Sequence, residues 1–305
     1  MDGFTTAEIQ TGETRIFVRT KGSGPPLLLL HGFPQTHLMW RSVAPLLAHR
    51  FTVICADLRG YGRSSYPSST SNHAPYAKRA MAQDMVIMME RLGFTHFSVV
   101  GHDRGGRVAY RMALDYPARV DRLVVLDVLP TETVWEHADA RLMLAYWPWS
   151  LLAQPEPLPE RILTAIPEAI VDDALSAWGS PPTVFPQEVR DAYIQALRDP
   201  HHAHAICEEY RAAATIDREH DTADRASKRR IICPILAVWS ALGPLATWYV
   251  NEGGPIALLR VWCDDVQGLA INAGHFFPEE ALEPVADALN RFLDTAESSH
   301  LEELH

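Results

Sequence analysis

The sequence predicts an α/β fold in which a mostly parallel sheet is flanked by helices and carries an inserted helical cap. Three observations predict it. Short apolar runs of strand length alternate with helical stretches. The runs are continuous rather than alternating, as strands buried on both faces require. After Pro130 the strand pattern stops for about 80 residues of helical character and then resumes.

The elements follow in order. Pro26–Leu30 reads as a strand ending at His31-Gly32, and residues 51–56 as the next, before a turn-rich stretch over 57–65. Residues 80–92 form an amphipathic helix pattern. Residues 97–101 are a strand, and 105–116 a helix stopped by Pro117, which cannot continue the ladder. Residues 120–128 are a further strand. Helical stretches follow over 167–178, 186–197 and 203–214, and strands return at 231–238 and 266–271. The expected division is a core part over 1–134, a cap over 135–216 and a second core part over 217–305. An insertion at the carboxyl edge of such a sheet covers the place where open α/β sheets bind ligands. The tail, 297–305, is polar and is expected to fray.

Composition narrows the class. With 305 residues and 47% apolar content the chain can build a large core, so wholesale disorder is excluded. Lys+Arg total 27 against 38 Asp+Glu, a net charge of −11, which argues against nucleic-acid or anionic-membrane partners. The longest apolar run, near 231–239, contains Pro234 and falls short of the roughly 18 residues a membrane span needs. The opening ten residues lack the pattern of a signal peptide. Cys55, Cys207, Cys233 and Cys263 are scattered without a C-x-x-C, so neither a disulfide framework nor a zinc site is expected, and a reducing cytoplasm fits. No cofactor or metal is called for.

The strongest chemical signal is Gly101-His102-Asp103-Arg104-Gly105-Gly106-Arg107. A strand ends, a sharp glycine-flanked turn bears one reactive side chain, and a helix begins. This is the nucleophile elbow G-x-S-x-G with Asp103 at the serine position. The ordinary alternative, an Asp that merely caps a helix, loses ground once the remaining signals are added. Leu30-His31-Gly32-Phe33-Pro34 follows the first strong strand and matches the loop that gives one oxyanion-hole N–H, here from Phe33, with the second from Arg104. His31 itself reads as a structural histidine. His275, in a loop after the last strand, stands where the general base belongs in chain order. His201, His202 and His204 read instead as a solvated helix face. The third member has two possible homes. The loop 240–244 carries no acid, whereas Asp127 sits inside an apolar run, where a carboxylate is costly unless paired. A bond to the Nδ1–H of His275 would pair it.

An aspartate nucleophile changes the reaction class. A serine attacking saturated carbon would make a stable ether, whereas an aspartate makes an ester that activated water can cleave. Alkyl halides, haloacids and epoxides are therefore the candidate substrates. Arg104 and Arg107, one helical turn apart, suit a substrate carboxylate held by two guanidinium forks.

Residues 27–40, 101–107, 126–130, 152–160, 207–212 and 274–280 resemble fluoroacetate dehalogenases of the α/β-hydrolase fold, over nearly the whole chain to about residue 293. The resemblance implies Asp103 as nucleophile, His275 as base and Asp127 as its partner, with Arg104 and Arg107 on the carboxylate. It further implies Trp149 and Tyr210 as donors to the halide, Trp178 as another pocket aromatic, a small haloacid substrate and a homodimer. The family's cap has a His-Trp pair where this chain has Pro148-Trp149. A prolyl side chain offers no donor, so fluoride release is expected to be weaker than chloride release, and Pro148 is expected to line the pocket in place of the histidine. Two rivals remain. An epoxide hydrolase would use the same nucleophile with Tyr146 and Tyr210 as acids, and a non-enzymatic receptor would retain the scaffold without turnover.

Overall fold

The computed structural model describes residues 1–294, so the expected frayed tail lies outside the described residues. Eight strands form one sheet: β1 Thr5–Gln10, β2 Arg15–Lys21, β3 Pro26–Leu30, β4 Thr52–Ala56, β5 Phe97–His102, β6 Val120–Leu126, β7 Ile235–Ser240 and β8 Val266–Ile271. Their spatial order is β1-β2-β4-β3-β5-β6-β7-β8. From β4 to β8 every neighbouring pair is parallel, while β1, β2 and β4 pair antiparallel. Sequence periodicity did not reveal the β1–β2 hairpin, because β1 is polar and mostly exposed and only Ile16, Phe17 and Val18 of β2 are buried.

Continuous apolar runs become central strands. Leu27, Leu28, Leu29 and Leu30 are completely buried, with Leu28 and Leu30 facing one side of the sheet and Leu27 and Leu29 the other. Each such leucine contributes about 1.5–3 kcal/mol of burial free energy. Helices cover both faces. In the first part of the chain they are α1 Val43–Leu47, α2 Lys78–Arg91 and α3 Arg104–Asp115. α3 is buried along nearly its whole length and packs against α2, β5 and β6.

Between β6 and β7 the chain forms α4 Thr131–Glu136, α5 Ala140–Ala145, α6 Pro148–Leu151, α7 Leu158–Ala165, α8 Pro167–Ala177, α9 Gln187–Arg198, α10 Pro200–Ala214 and α11 Ile216–Ala226. The helical run thus begins before residue 135 and extends past 216. α11 is tied to the core, since Asp221 and Asp224 both accept hydrogen bonds from Arg111 of α3. The last part adds α12 Pro244–Thr247, α13 Gly254–Leu259, α14 Phe277–Glu280 and α15 Leu282–Leu293. Strand β7 begins at Ile235 rather than 231, because Pro234 has no N–H to give the ladder; residue 231 makes only an isolated bridge to Cys263. Among the described residues no helix is long and apolar enough to cross a membrane.

The sheet topology delivers one loop after another to a single edge. Phe33 follows β3, Asp103 follows β5, Asp127 follows β6, Ser240 ends β7 and His275 follows β8. The packing there has no room to spare. A Cβ at Gly105 would lie 2.5 Å from the His31 carbonyl oxygen, and one at Gly32 would lie 2.5 Å from the Asp103 Cβ. Gly105→Ala should therefore cost about 1–3 kcal/mol through overpacking. A calorimetric Tm equal to that of the parent would count against this crowding.

Candidate active site

Asp103 occupies a turn with φ +48°, a conformation that L side chains rarely adopt. It is held there from both sides. Its N–H donates to Leu126 O at 3.2 Å, and its carbonyl accepts from Arg107 N at 3.2 Å as α3 begins. The carboxylate therefore stands at a helix N-terminus, where the macrodipole favours negative charge. Oδ1 accepts the Phe33 N–H at 3.0 Å, so the loop after β3 reaches the side chain as its sequence position suggested. Burial raises the Asp103 pKa, but His275, Arg104, His102 and Arg107 outweigh burial and hold it below the ordinary carboxylate value. Asp103 is ionised at neutral pH.

His275 borders the same cavity as Asp103. Its Nδ1 is 2.6 Å from Asp127 Oδ2, and since a carboxylate can only accept, Nδ1 carries the proton. Nε2 is buried without a hydrogen-bond partner among the described residues. Asp127 also has a positive φ, +52°, and its Oδ1 accepts the Ser240 N–H at 3.0 Å. The loop after β7 lacks an acid, yet it supplies the amide that steadies the acid of the neighbouring strand.

The cavity encloses about 40 Å³ and is bordered by Asp103, His275, Arg107, Trp149 and Tyr146 among others. At roughly 10–15 Å³ per water-sized occupant, it takes three or four such occupants. Arg107 stacks over Trp149 at 4.5 Å and spends one Nη on Leu129 O at 2.6 Å, leaving Nε without a partner.

Several expected residues stand elsewhere. Arg104 does not border this cavity as a free fork. Its Nε and Nη2 edge is taken by Glu209 of α10, at 2.9 and 2.5 Å, and only Nη1 is left unpartnered and buried. Two guanidinium forks were expected beside Asp103; in the structure Arg107 borders the cavity and Arg104 is clamped by Glu209. Tyr210 packs under Arg104 at 4.0 Å and edge-on to Phe33, outside the cavity lining. Pro148 is buried at the first turn of α6, where its missing N–H costs nothing, and does not line the cavity. Trp178 gives its indole N–H to Ala145 O at 2.9 Å and borders an adjacent cleft. Its carbonyl accepts the His275 N–H at 2.8 Å, so Trp178 acts on the base through the backbone. The His201–His204 segment is not a simple solvated face. His201 is exposed and stacks on Tyr66, whereas His202 and His204 are half-buried and hydrogen-bond to Gly60 O and Ser69. His31 holds two loops, accepting Leu58 N–H at Nε2 and donating from Nδ1 to Gly32 O.

A family model described as the alpha/beta hydrolase fold matches residues 25–281. Over 301 residues the chain is 41% identical to a fluoroacetate dehalogenase of a Burkholderia species, covering 97% of this chain and 96% of that one. The chain belongs to the haloacetate dehalogenase family of α/β hydrolases. It is also 32% identical to a soluble epoxide hydrolase of a Corynebacterium species, over 91% of this chain and 93% of that one. Among solved structures, a Nostoc protein described as a candidate α/β hydrolase superposes with a TM-score of 0.92 at 45% identity, covering 96% of this chain and 99% of that one. A Pseudomonas aeruginosa protein described as a candidate epoxide hydrolase, solved as a mutant with bound MFA, superposes with a TM-score of 0.90 at 42% identity, covering 100% of this chain and 99% of that one.

Three buried residues of this family member were invisible as site residues in its sequence. His102 donates from Nε2 to His275 O at 2.9 Å, and burial holds it neutral with a pKa of about 3. Glu209 looked like one more helical acid. Glu279 accepts from Gln35 in the Phe33 loop, from Arg41 and from Tyr193 of α9. A polar residue inside an otherwise apolar helical stripe was the available signal for Glu209. Among the described residues no group of three His, Cys, Asp or Glu side chains is placed to hold a metal.

Burial pushes the Glu279 carboxyl up to about 7, against Arg41, Gln35 and Tyr193. A carboxyl raised from 4.5 to about 7 binds its proton more tightly folded than unfolded, so stability falls as pH rises through that window. The Tm advantage of the parent over Glu279→Gln should shrink between pH 5 and 8. Parallel Tm–pH curves for the two proteins would exclude this.

Proposed function

We propose that the protein hydrolyses short 2-haloacids, haloacetate to glycolate plus halide, through an ester on Asp103. The observation that carries the reading is an ionised, elbow-borne aspartate sharing a cavity of about 40 Å³ with Arg107 and His275. Asp103 Oδ2, which has no hydrogen bond among the described residues, attacks the carbon bearing the halogen while the carbon–halogen bond breaks. Halide leaves towards the Trp149 indole, whose N–H has no hydrogen-bond partner among the described residues. Arg107 holds the substrate carboxylate. His275 Nε2 then takes a proton from water, and the hydroxide adds to the Asp103 carbonyl carbon. The Phe33 N–H, with the Arg104 N–H as second donor, stabilises the oxyanion. Asp127 stabilises the imidazolium that forms. Collapse frees glycolate and regenerates the Asp103 carboxylate, and the net products are glycolate, halide and one proton.

The cavity's size favours a two-carbon acid over an aryl epoxide. The epoxide reading needs Tyr146 and Tyr210 facing the nucleophile; Tyr146 borders the cavity, as does Tyr249 from the segment after β7, whereas Tyr210 is outside the lining. Of the two expected halide donors Trp149 borders the cavity and Tyr210 lies outside the lining, and Pro148 has no donor to add. Fluoride depends on such donors most, so chloroacetate is the better substrate in this proposal. The homodimer implied by the resemblance and the cytoplasmic setting suggested by the scattered cysteines belong to the same proposal.

Turnover in ¹⁸O-labelled water should place label in the Asp103 carboxylate, read by mass analysis of its peptide; unlabelled Asp103 alongside labelled glycolate would sink the ester route. His275→Gln should halt at the carboxymethyl ester on Asp103, visible as an adduct in the intact mass. Halide release from chloroacetate without diol formation from styrene oxide separates this reading from the epoxide hydrolase. Trp149→Phe should cost about 100-fold or more in fluoroacetate turnover, with a smaller loss for chloroacetate, measured with halide electrodes; equal losses would remove Trp149 from the halide site.

A further inference from the structure

The structure assigns Glu209 as a positioning residue: from α10 it clamps the two-pronged edge of Arg104 away from the Asp103 carboxylate and leaves only Nη1 without a partner. This assignment rests on the proposed haloacid reaction for its purpose, but the clamp itself is geometric.

Arg104 and Asp103 are adjacent in sequence, and Arg104 is completely buried. A buried guanidinium beside a carboxylate pairs with it unless something else occupies it. Such a pair would cover the lone pairs with which Asp103 attacks. Here the two-pronged edge of Arg104 is instead satisfied by Glu209, with Nε 2.9 Å from both carboxylate oxygens and Nη2 2.5 Å from Oε1. The aromatic face of Tyr210, 4.0 Å from the guanidinium carbon, limits rotation out of this plane. Nη1 is the one nitrogen left, buried and without a partner.

The clamp is itself anchored. Glu209 also accepts from Lys78 Nζ, at the start of α2, and from the Tyr61 hydroxyl at 3.3 Å. Lys78 faces Asp217 of α11 as well, at 3.4 Å. Two cations of the core, Arg104 and Lys78, thus meet two carboxylates from α10 and α11, and the buried charge is balanced. Glu209 is not among the residues that border the cavity, so its hydrogen bonds reach the site through Arg104, while its charge is also felt by Arg107.

The test separates clamp from charge balance. Glu209→Gln leaves two buried cations with one carboxylate and can fail to fold. The double variant Glu209→Gln/Lys78→Met restores balance and removes the charged clamp. Acetate, a carboxylate without a leaving group, serves as the binding probe by titration calorimetry. The double variant is expected to melt near the parent, to bind acetate about tenfold more weakly and to lose about tenfold or more in kcat for chloroacetate, the scale of one charged hydrogen bond. A well-folded double variant with acetate affinity and kcat both within twofold of the parent overturns the clamp. If the parent releases no halide from any haloacetate, the proposed reaction falls, while the acetate titration still decides the role of Glu209.

Discussion

The close approach of three backbones around Asp103 is the constraint on which the site depends. The loop after β3, the end of β5 and the first turn of α3 meet where Gly32, Gly101 and Gly105 leave no space for a Cβ. Only because they touch can the Phe33 N–H reach Oδ1 while Asp103 keeps a positive φ. The strain at that residue is borne by the buried strands β3 and β5 on one side and a buried helix on the other. A looser junction would let the aspartate relax into an ordinary helix cap, with its oxygens turned to the backbone.

Charge is partitioned with the same economy. Asp103 faces cationic side chains that keep it ionised, yet it has no ion pair with either arginine. Arg104 is committed to Glu209, and Arg107 rests on Trp149 and a backbone carbonyl. The field of both guanidiniums reaches the carboxylate while their hydrogen bonds go elsewhere. The helical segment between β6 and β7 is therefore an electrostatic component of the site. It also grips the base loop, since Trp178 O holds His275 N–H and Ser180 bonds Glu280 and Phe276 N–H of the same loop.

Local signals placed the chemistry-bearing turns because those signals are local. A strand, a glycine-flanked acid and a helix must lie within a few residues of one another, and so they show at Gly101–Arg107. Asp127 was legible because a carboxylate inside Val124–Val128 is unaffordable without a partner. The hairpin β1–β2 was not legible, because a polar edge strand carries little hydrophobic periodicity. The directions of Trp178, Tyr210 and Pro148 were not legible either. Their positions matched a motif, but packing among the helices between β6 and β7 turned Trp178 to Ala145 and Tyr210 to Arg104.

The sequence by itself determined the α/β layering, the elbow with its aspartate, the loop that supplies Phe33 and the late histidine with its buried acid. Each is encoded by residues near in the chain or by the cost of burying charge. The tertiary structure alone decided which arginine faces the cavity, which aromatic rings border it and which distant acids, Glu209 and Glu279, brace it. Those outcomes depend on contacts between residues from about twenty to more than two hundred positions apart, whose geometry no periodicity records.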